Sequence, residues 1–160
     1  MSNLIATFDS KKVRGTVKFH QCKIIDDYVW VYFDLYDLPP NSTHAIHIHK
    51  FGDKSNGCTS LGPHWNPFNK DHGSIFIDSI NRHAGDLVNN FTTDSSGAYT
   101  GYYKDNLIRT KGIYSILGRS VVIHDGVDDL GLNSDSESKS TGNAGGRRSC
   151  AIIGYGQDSH

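Results

Sequence analysis

Long apolar runs, basic stretches, tandem repeats and regular helical periodicity are all missing from this sequence of 160 residues. No run approaches the length of a membrane span, so no membrane partner is expected. Lys and Arg number 16 against 17 for Asp and Glu, a formal net charge of -1, so no polybasic face recommends nucleic acid or an anionic bilayer. The first residues, Met1-Ser-Asn-Leu-Ile-Ala-Thr, lack a basic segment leading into an apolar one, and a soluble cytoplasmic protein is the expectation. With no such signal, the glycosylation patterns Asn41-Ser-Thr and Asn90-Phe-Thr read as chance matches. The lack of repeats argues against solenoids and propellers. Three cysteines, Cys22, Cys58 and Cys150, allow at most one internal pair, and a reducing cytosol would ordinarily keep them as thiols. The length suits one domain over 1–160 with one packed core.

What is present reads as β-structure. Tyr28-Val-Trp-Val-Tyr-Phe-Asp-Leu-Tyr36 alternates, with Val29, Val31, Phe33 and Leu35 on one face and Trp30, Tyr32 and Asp34 on the other. Shorter β-rich runs fall at 4–8, 14–20, 45–50, 98–103, 120–124 and 150–155, which predicts an all-β sandwich or barrel. Two long stretches interrupt them, 51–90 and 125–149. Loops of that length inside a compact domain are usually functional or disordered. The first is dense in His, Gly and Pro, which favours order around a metal; the second passes on composition for a solvated linker.

Strand alternation places His47 and His49 on one face, two residues apart, where both imidazoles reach one point above the sheet. His44 takes the opposite face with Ile46 and Ile48 and is expected to be a buried structural histidine. Further candidates follow at His64, His72, His83, Asp86 and His124. Seven ligands are too many for one site. Zinc favours four tetrahedral ligands and copper is well served by imidazole nitrogens. If one imidazole bridges two metals, seven side chains supply four ligands to each.

These residues lie in segments that resemble the copper,zinc superoxide dismutase family in its cytosolic eukaryotic branch. The segments are His44-Ala-Ile-His-Ile-His-Lys-Phe-Gly-Asp53, Gly57-Cys-Thr-Ser-Leu-Gly-Pro-His-Trp-Asn-Pro67, Asp71-His-Gly73, Arg82-His-Ala-Gly-Asp-Leu87, Gly118-Arg-Ser-Val-Val-Ile-His124, Asp128-Asp-Leu-Gly131 and Thr141-Gly-Asn-Ala-Gly-Gly-Arg147 with Cys150. The resemblance runs nearly end to end and in the family's order. It implies an eight-stranded Greek-key sandwich, an architecture in which this enzyme is a standard example. It also implies copper held by His47, His49, His64 and His124, and zinc by His64, His72, His83 and Asp86. Asp128 would then orient His47 and His72 from outside the metals. Cys58 and Cys150 would form a disulfide, whose roughly ninety-residue loop is worth about 4–5 kcal/mol in the chain-entropy model. Arg147 would draw in and orient the substrate anion, superoxide, which is disproportionated by Cu(II)/Cu(I) cycling with His64 handling protons.

By the same resemblance the chain would form a homodimer through an apolar patch for which Leu117, Ile153 and Tyr155 are candidates, and a copper chaperone is a possible partner. Against the family pattern, Lys50 stands where an acid is usual. The segment between His72 and His83 is about two residues longer and carries Ile75-Phe-Ile77, which would alter how that loop packs. The competing reading is a non-catalytic, dismutase-like metal-binding module or chaperone-binding decoy; the complete ligand set and Arg147 favour the enzyme.

Overall fold

The computed structural model describes residues 2–21 and 28–157. Cys22 and His160, expected as an unpaired structural thiol and a solvent-facing residue, lie outside that range. Eight strands make up the body: β1 Ser2–Asp9, β2 Arg14–Gln21, β3 Val29–Tyr36, β4 Thr43–His49, β5 Asp86–Thr92, β6 Tyr99–Asp105, β7 Ser120–His124 and β8 Arg147–Tyr155. Among the described residues, one 3-10 turn, Thr59–Leu61, and a short helix, α1 Ser136–Thr141, lie in the long loops. All pairings are antiparallel, in the spatial order β5-β4-β7-β8-β1-β2-β3-β6. The connections β3 to β4 and β6 to β7 therefore cross between distant strands, as in a Greek key. The edge strands β5 and β6 approach across the core, where Phe91 and Tyr99 stand 4.9 Å apart, and the sheet is a nearly closed barrel.

The alternation read in 28–36 is the alternation found. Val29, Val31, Phe33 and Leu35 are fully buried or nearly so, and Tyr32, Asp34 and Tyr36 face out. They join Leu4, Phe19, Ile46, Ile48, Val121 and Ile123 in one continuous core. Each such side chain contributes about 1.5–3 kcal/mol of burial free energy.

Two expectations need correcting. The first long loop ends earlier than expected, because β5 begins at Asp86. Its sequence, Asp-Leu-Val-Asn-Asn-Phe-Thr, hides the strand behind two adjacent asparagines, and Asn89 adopts a left-handed φ of 61°. The second loop is not a plain linker. Asp135 caps α1 by accepting from the Ser138 amide, and Gly142 ends it in the left-handed conformation. Asp129 then collects Ser138, Asn133 and Asn143 around it.

Cys58 and Cys150 are joined, with Cα atoms 5.9 Å apart, so the disulfide ties the 3-10 turn to β8. Ile153 is 1% exposed and belongs to the core, which removes it from any apolar surface patch; Tyr155 remains 76% exposed.

Candidate metal centre

The site is built on the outer face of β4, β5 and β7, where the two long loops fold back over the sheet. Its strand residues depart from regular pairing at two places. Between Ile46 and His47 the register to β5 jumps so that His47 sits opposite Asp86. Between Ile123 and His124 the register to β8 jumps so that His124 sits opposite Arg147. Bulges re-aim side chains at a strand end, and here they bring Asp86, His124 and Arg147 toward the histidines of β4.

His64 arrives from the first loop. Its backbone runs beside β4, with Trp65 donating to Ile48 O at 2.8 Å and Gly85 to Trp65 O at 2.8 Å. The approach is so close that a Cβ on Gly85 would sit 2.2 Å from Ile48 O, which only glycine permits. Arg82, fully buried, holds the end of that loop: its guanidinium donates to Asp86 O at 2.7 Å and His83 O at 3.2 Å, and pairs with Asp105 at 3.0 Å. Between Gly73 and Arg82 the longer segment bulges outward, leaving Phe76 and Ile77 exposed. The altered packing expected there is confined to the surface, and His72 and His83 stay buried on either side.

The expected residues form two abutting clusters. In the first, donor atoms of His47, His49, His64 and His124 lie within 4.8 Å of one another. In the second, Asp86 Oδ1 stands 3.0 Å from His64 Nδ1, 3.0 Å from His72 Nδ1 and 3.3 Å from His83 Nδ1. Donor atoms of His47 also fall within 4.8 Å of His64, His72 and Asp86. His47 Nε2, however, is engaged at 2.5 Å by Asp128. His44 stands apart, with Nδ1 donating to His124 O at 3.0 Å and Nε2 bonded to Ser42 Oγ at 2.8 Å, as a structural histidine should.

Hydrogen bonding fixes the tautomers. His49 Nδ1 donates to Gly62 O at 2.8 Å and His124 Nδ1 to Gly145 O at 3.1 Å, since a carbonyl can only accept. Their Nε2 lone pairs are thereby turned on each other at 3.4 Å. His47 Nδ1 and His64 Nε2 are buried with no hydrogen-bond partner. Burial lowers the pKa of His47, His49 and His64, and that of His124 to about 4, so protons do not fill these positions near neutrality. Converging, desolvated lone pairs of this kind are unfavourable unless a cation sits among them. The donor set fits a borderline-soft transition metal on one side and zinc on the other.

Asp128 binds both clusters from behind, through Oδ2 to His47 and through Oδ1 to His72 Nε2 at 2.8 Å. Burial opposes its charge, but these two imidazoles hold its pKa well below the usual carboxylate range. Asn89 and the Leu130 amide complete its shell at 3.1 and 2.7 Å. Gly142 is forced here, because a Cβ would meet Asp128 Oδ1 at 2.3 Å. Asn89, Arg82 and the Gly62 carbonyl were not identified from sequence; two adjacent asparagines in a β-rich run were the available signal for the first.

The first cluster opens to a cleft of about 620 Å³ lined by His49, His64, His124, Glu137, Thr141 and Arg147. Arg147 is fixed by donating to Cys58 O at 2.6 Å and Gly62 O at 2.7 Å. Gly62 O thus seats both Arg147 and His49, and the disulfide supports the turn that carries Cys58.

The family model described as Copper/zinc superoxide dismutase (SODC) matches residues 13–153. Superoxide dismutase [Cu-Zn] of Yarrowia lipolytica is 50% identical over 143 residues, covering 89% of this chain and 90% of that one. Superoxide dismutase [Cu-Zn] 1 of Debaryomyces hansenii is 47% identical over 146 residues, covering 91% and 92%. Among solved structures, the crystal structure of the clock protein EA4 superposes with a TM-score of 0.88 at 38% identity, covering 96% of this chain and 94% of that one.

Proposed function

The chain belongs to the copper/zinc superoxide dismutase family, and from that premise we infer that it is the oxidoreductase that disproportionates superoxide into dioxygen and hydrogen peroxide. The observation that supports this most directly is His64, whose Nδ1 faces Asp86 and His83 while its Nε2 is buried without a partner beside His47.

On this reading copper is held by His47, His49, His64 and His124, zinc by His64, His72, His83 and Asp86, and His64 is shared. When bound, copper supplies one-electron chemistry by alternating between Cu(II) and Cu(I), while zinc has a filled d shell and no redox role. The chain's own groups do the rest. Arg147, always charged, draws the small anion into the cleft and orients it with the donors not engaged by Cys58 O and Gly62 O. His64 Nε2 lies on the cleft side, and when it is not engaged by a cation it is the nitrogen that would accept a proton and pass it to product oxygen. Asp128 on His47 Nε2 and His72 Nε2 fixes the orientation and basicity of those rings.

The chain works as one domain over 1–160 in the cytoplasm and as a homodimer. Exposed Tyr155 and Phe51, with Leu117, supply the apolar patch in place of the core residue Ile153. A copper chaperone loads the site.

The test is metal content per chain and superoxide-dismuting activity on one purified sample, before and after loading with copper and zinc. Near-equimolar metals with fast, copper-dependent activity are expected. Full loading without activity would replace the enzyme by a metal-binding module.

A further inference from the structure

The segment between His72 and His83 that departs from the family pattern turns its apolar residues to solvent, with Phe76 72% exposed and Ile77 and Ile80 beside it. The loop after β6 does the same with Ile113, 83% exposed, and Tyr114. The two loops lie side by side. At one end the Arg82 guanidinium donates to Asp105 and Asn106, and at the other the Phe68 ring packs on Tyr114 with centroids 4.9 Å apart. Both turns are internally bonded. The Ile77 and Asp78 amides donate to Ser74 O at 3.1 and 2.9 Å, and the Asp78 carboxylate accepts from the Ile80 and Asn81 amides. In the other loop the Ser115 amide donates to Gly112 O at 3.0 Å and the Ile116 amide to Arg109 O at 2.9 Å. Ordered turns therefore hold the apolar tips outward, which lowers the entropy cost of covering them.

Together with Phe68, these side chains present several hundred Å² of apolar surface, the size of patch that marks an interaction site and a large part of the roughly 800 Å² each partner gives to a standard interface. The charges around the tips select the occupant. Asp78 sits between Ile77 and Ile80 on the first loop, whereas the second carries Arg109 and Lys111; Lys70 and Asp71 beside Phe68 cancel. An anionic bilayer would meet Asp78 at the centre of the inserting tip, which opposes insertion. A second copy of the chain meets opposite charge at both tips, because a two-fold axis turns the acidic loop of one protomer onto the basic loop of the other. We propose that this flank is an isologous interface between two copies of the chain. Phe76, Ile77 and Ile80 of one protomer cover Ile113 and Tyr114 of the other, and Asp78 faces Lys111 across it. The interface is separate from the patch around Tyr155, so where both faces are in use dimers pair into tetramers.

The experiment measures molar mass by sedimentation equilibrium on the copper- and zinc-loaded protein. The parent chain is compared with the double variant Phe76→Ser, Ile113→Ser, both with and without Tyr155→Glu, which removes the other apolar face. The expected result is that the double variant has half the mass of its parent in both backgrounds. Because each comparison stays within one background, a chain that does not pair through Tyr155 changes the parent mass and not the halving. Asp78→Lys and Lys111→Asp, made singly, are each expected to raise the dissociation constant about tenfold or more, since like charges then face each other. An equal mixture of those two variants should reassociate, because the mixed pair again sets opposite charges together at both tips. Equal masses of parent and double variant, or a mixture that stays apart, would overturn the proposal. So would sedimentation of the parent, but not of the double variant, with phosphatidylcholine–phosphatidylserine vesicles while their masses agree, which would assign the flank to a lipid surface.

Discussion

The two halves of the barrel share the same strand geometry and are buried in opposite ways. Along β2 and β3 buried and exposed positions alternate, whereas in β4 six of seven positions are buried and in β7 all five. On the first half the outer face meets water with Lys18, Tyr32, Asp34 and Tyr102. On the second the loops 50–85 and 125–146 cover that face. Polar groups enclosed this way must be paired. Arg82, Asp86, Asn89 and Asp128 form the pairing network, and His47 Nδ1 and His64 Nε2 are imidazole nitrogens it leaves unpartnered, alongside Arg82 Nε and Asn89 Oδ1. Both halves share one hydrocarbon core, and the covered half adds to it a layer of hydrogen-bonded charges that serve metals.

The largest break in that contrast is expected from Arg82→Ala. It leaves the buried Asp105 carboxylate without its counter-charge, held only by the Tyr103 hydroxyl and the Leu107 and Ile108 amides, and frees the Asp86 and His83 carbonyls; removing one partner of a buried pair costs about 3–5 kcal/mol. Denaturant unfolding of the metal-free protein should reveal it; a loss below about 1 kcal/mol would mean that charges do not hold this half together. Asp128→Ala comes next. It strips the acceptor from His47 and His72, and a loss of about 10–100-fold in metal affinity is expected for outer partners of this kind. Competition with a chelator reads it, and unchanged affinity would show that the rings are oriented by packing alone.

The same contrast explains what the residues revealed in advance. Strands of the open half carry their fold in alternation, which is why 28–36 could be read directly. His47 and His49 could be assigned to one face because β4 keeps an unbroken register with β7 from Ile46 to His49. Asp86 and Asn89 lie in a strand whose bulge and left-handed residue erase the pattern, so β5 was absorbed into a loop. The helix α1 was missed because six residues of Ser, Glu, Lys and Thr show no apolar periodicity; its caps and the Asp129 network order it. Arg82 is a surface-type residue by composition, and the Asp105 carboxylate brought to it by β6, with Asn106 and the His83 and Asp86 carbonyls, makes its burial tolerable.

Protonation sharpens the comparison further. Burial disfavours charge on His72, but Asp128 and Asp86 outweigh it and raise its pKa to about 9 in the metal-free protein. His47, also bonded to Asp128, is shifted the other way because burial and His64 prevail. A raised folded-state pKa contributes stability below the ordinary 6.5 that is lost as pH rises toward about 9. The metal-free protein should thus lose stability from this residue across that window. Zinc requires the neutral ring, so its uptake releases the proton and its affinity should rise about tenfold per pH unit up to about pH 9. Parallel titrations of unfolding and zinc binding test both signs; zinc affinity independent of pH would mean that His72 carries no proton for the metal to displace.

The smallest effect is expected on the open half. Tyr102 is 68% exposed and meets Trp30 at 5.9 Å and Tyr32 at 6.0 Å, while Lys104 sits 4.7 Å over Trp30. Exposed aromatic pairs contribute about 1 kcal/mol, and the strand beneath keeps its ladder and core contacts when the ring is removed. Tyr102→Ala should cost about 1 kcal/mol or less in denaturant unfolding, with metal affinity unchanged, because no hydrogen-bonded group is left unpartnered. A cost as large as that of Arg82→Ala would mean that the outer aromatic face, and not only the hydrocarbon core beneath it, holds the open half together.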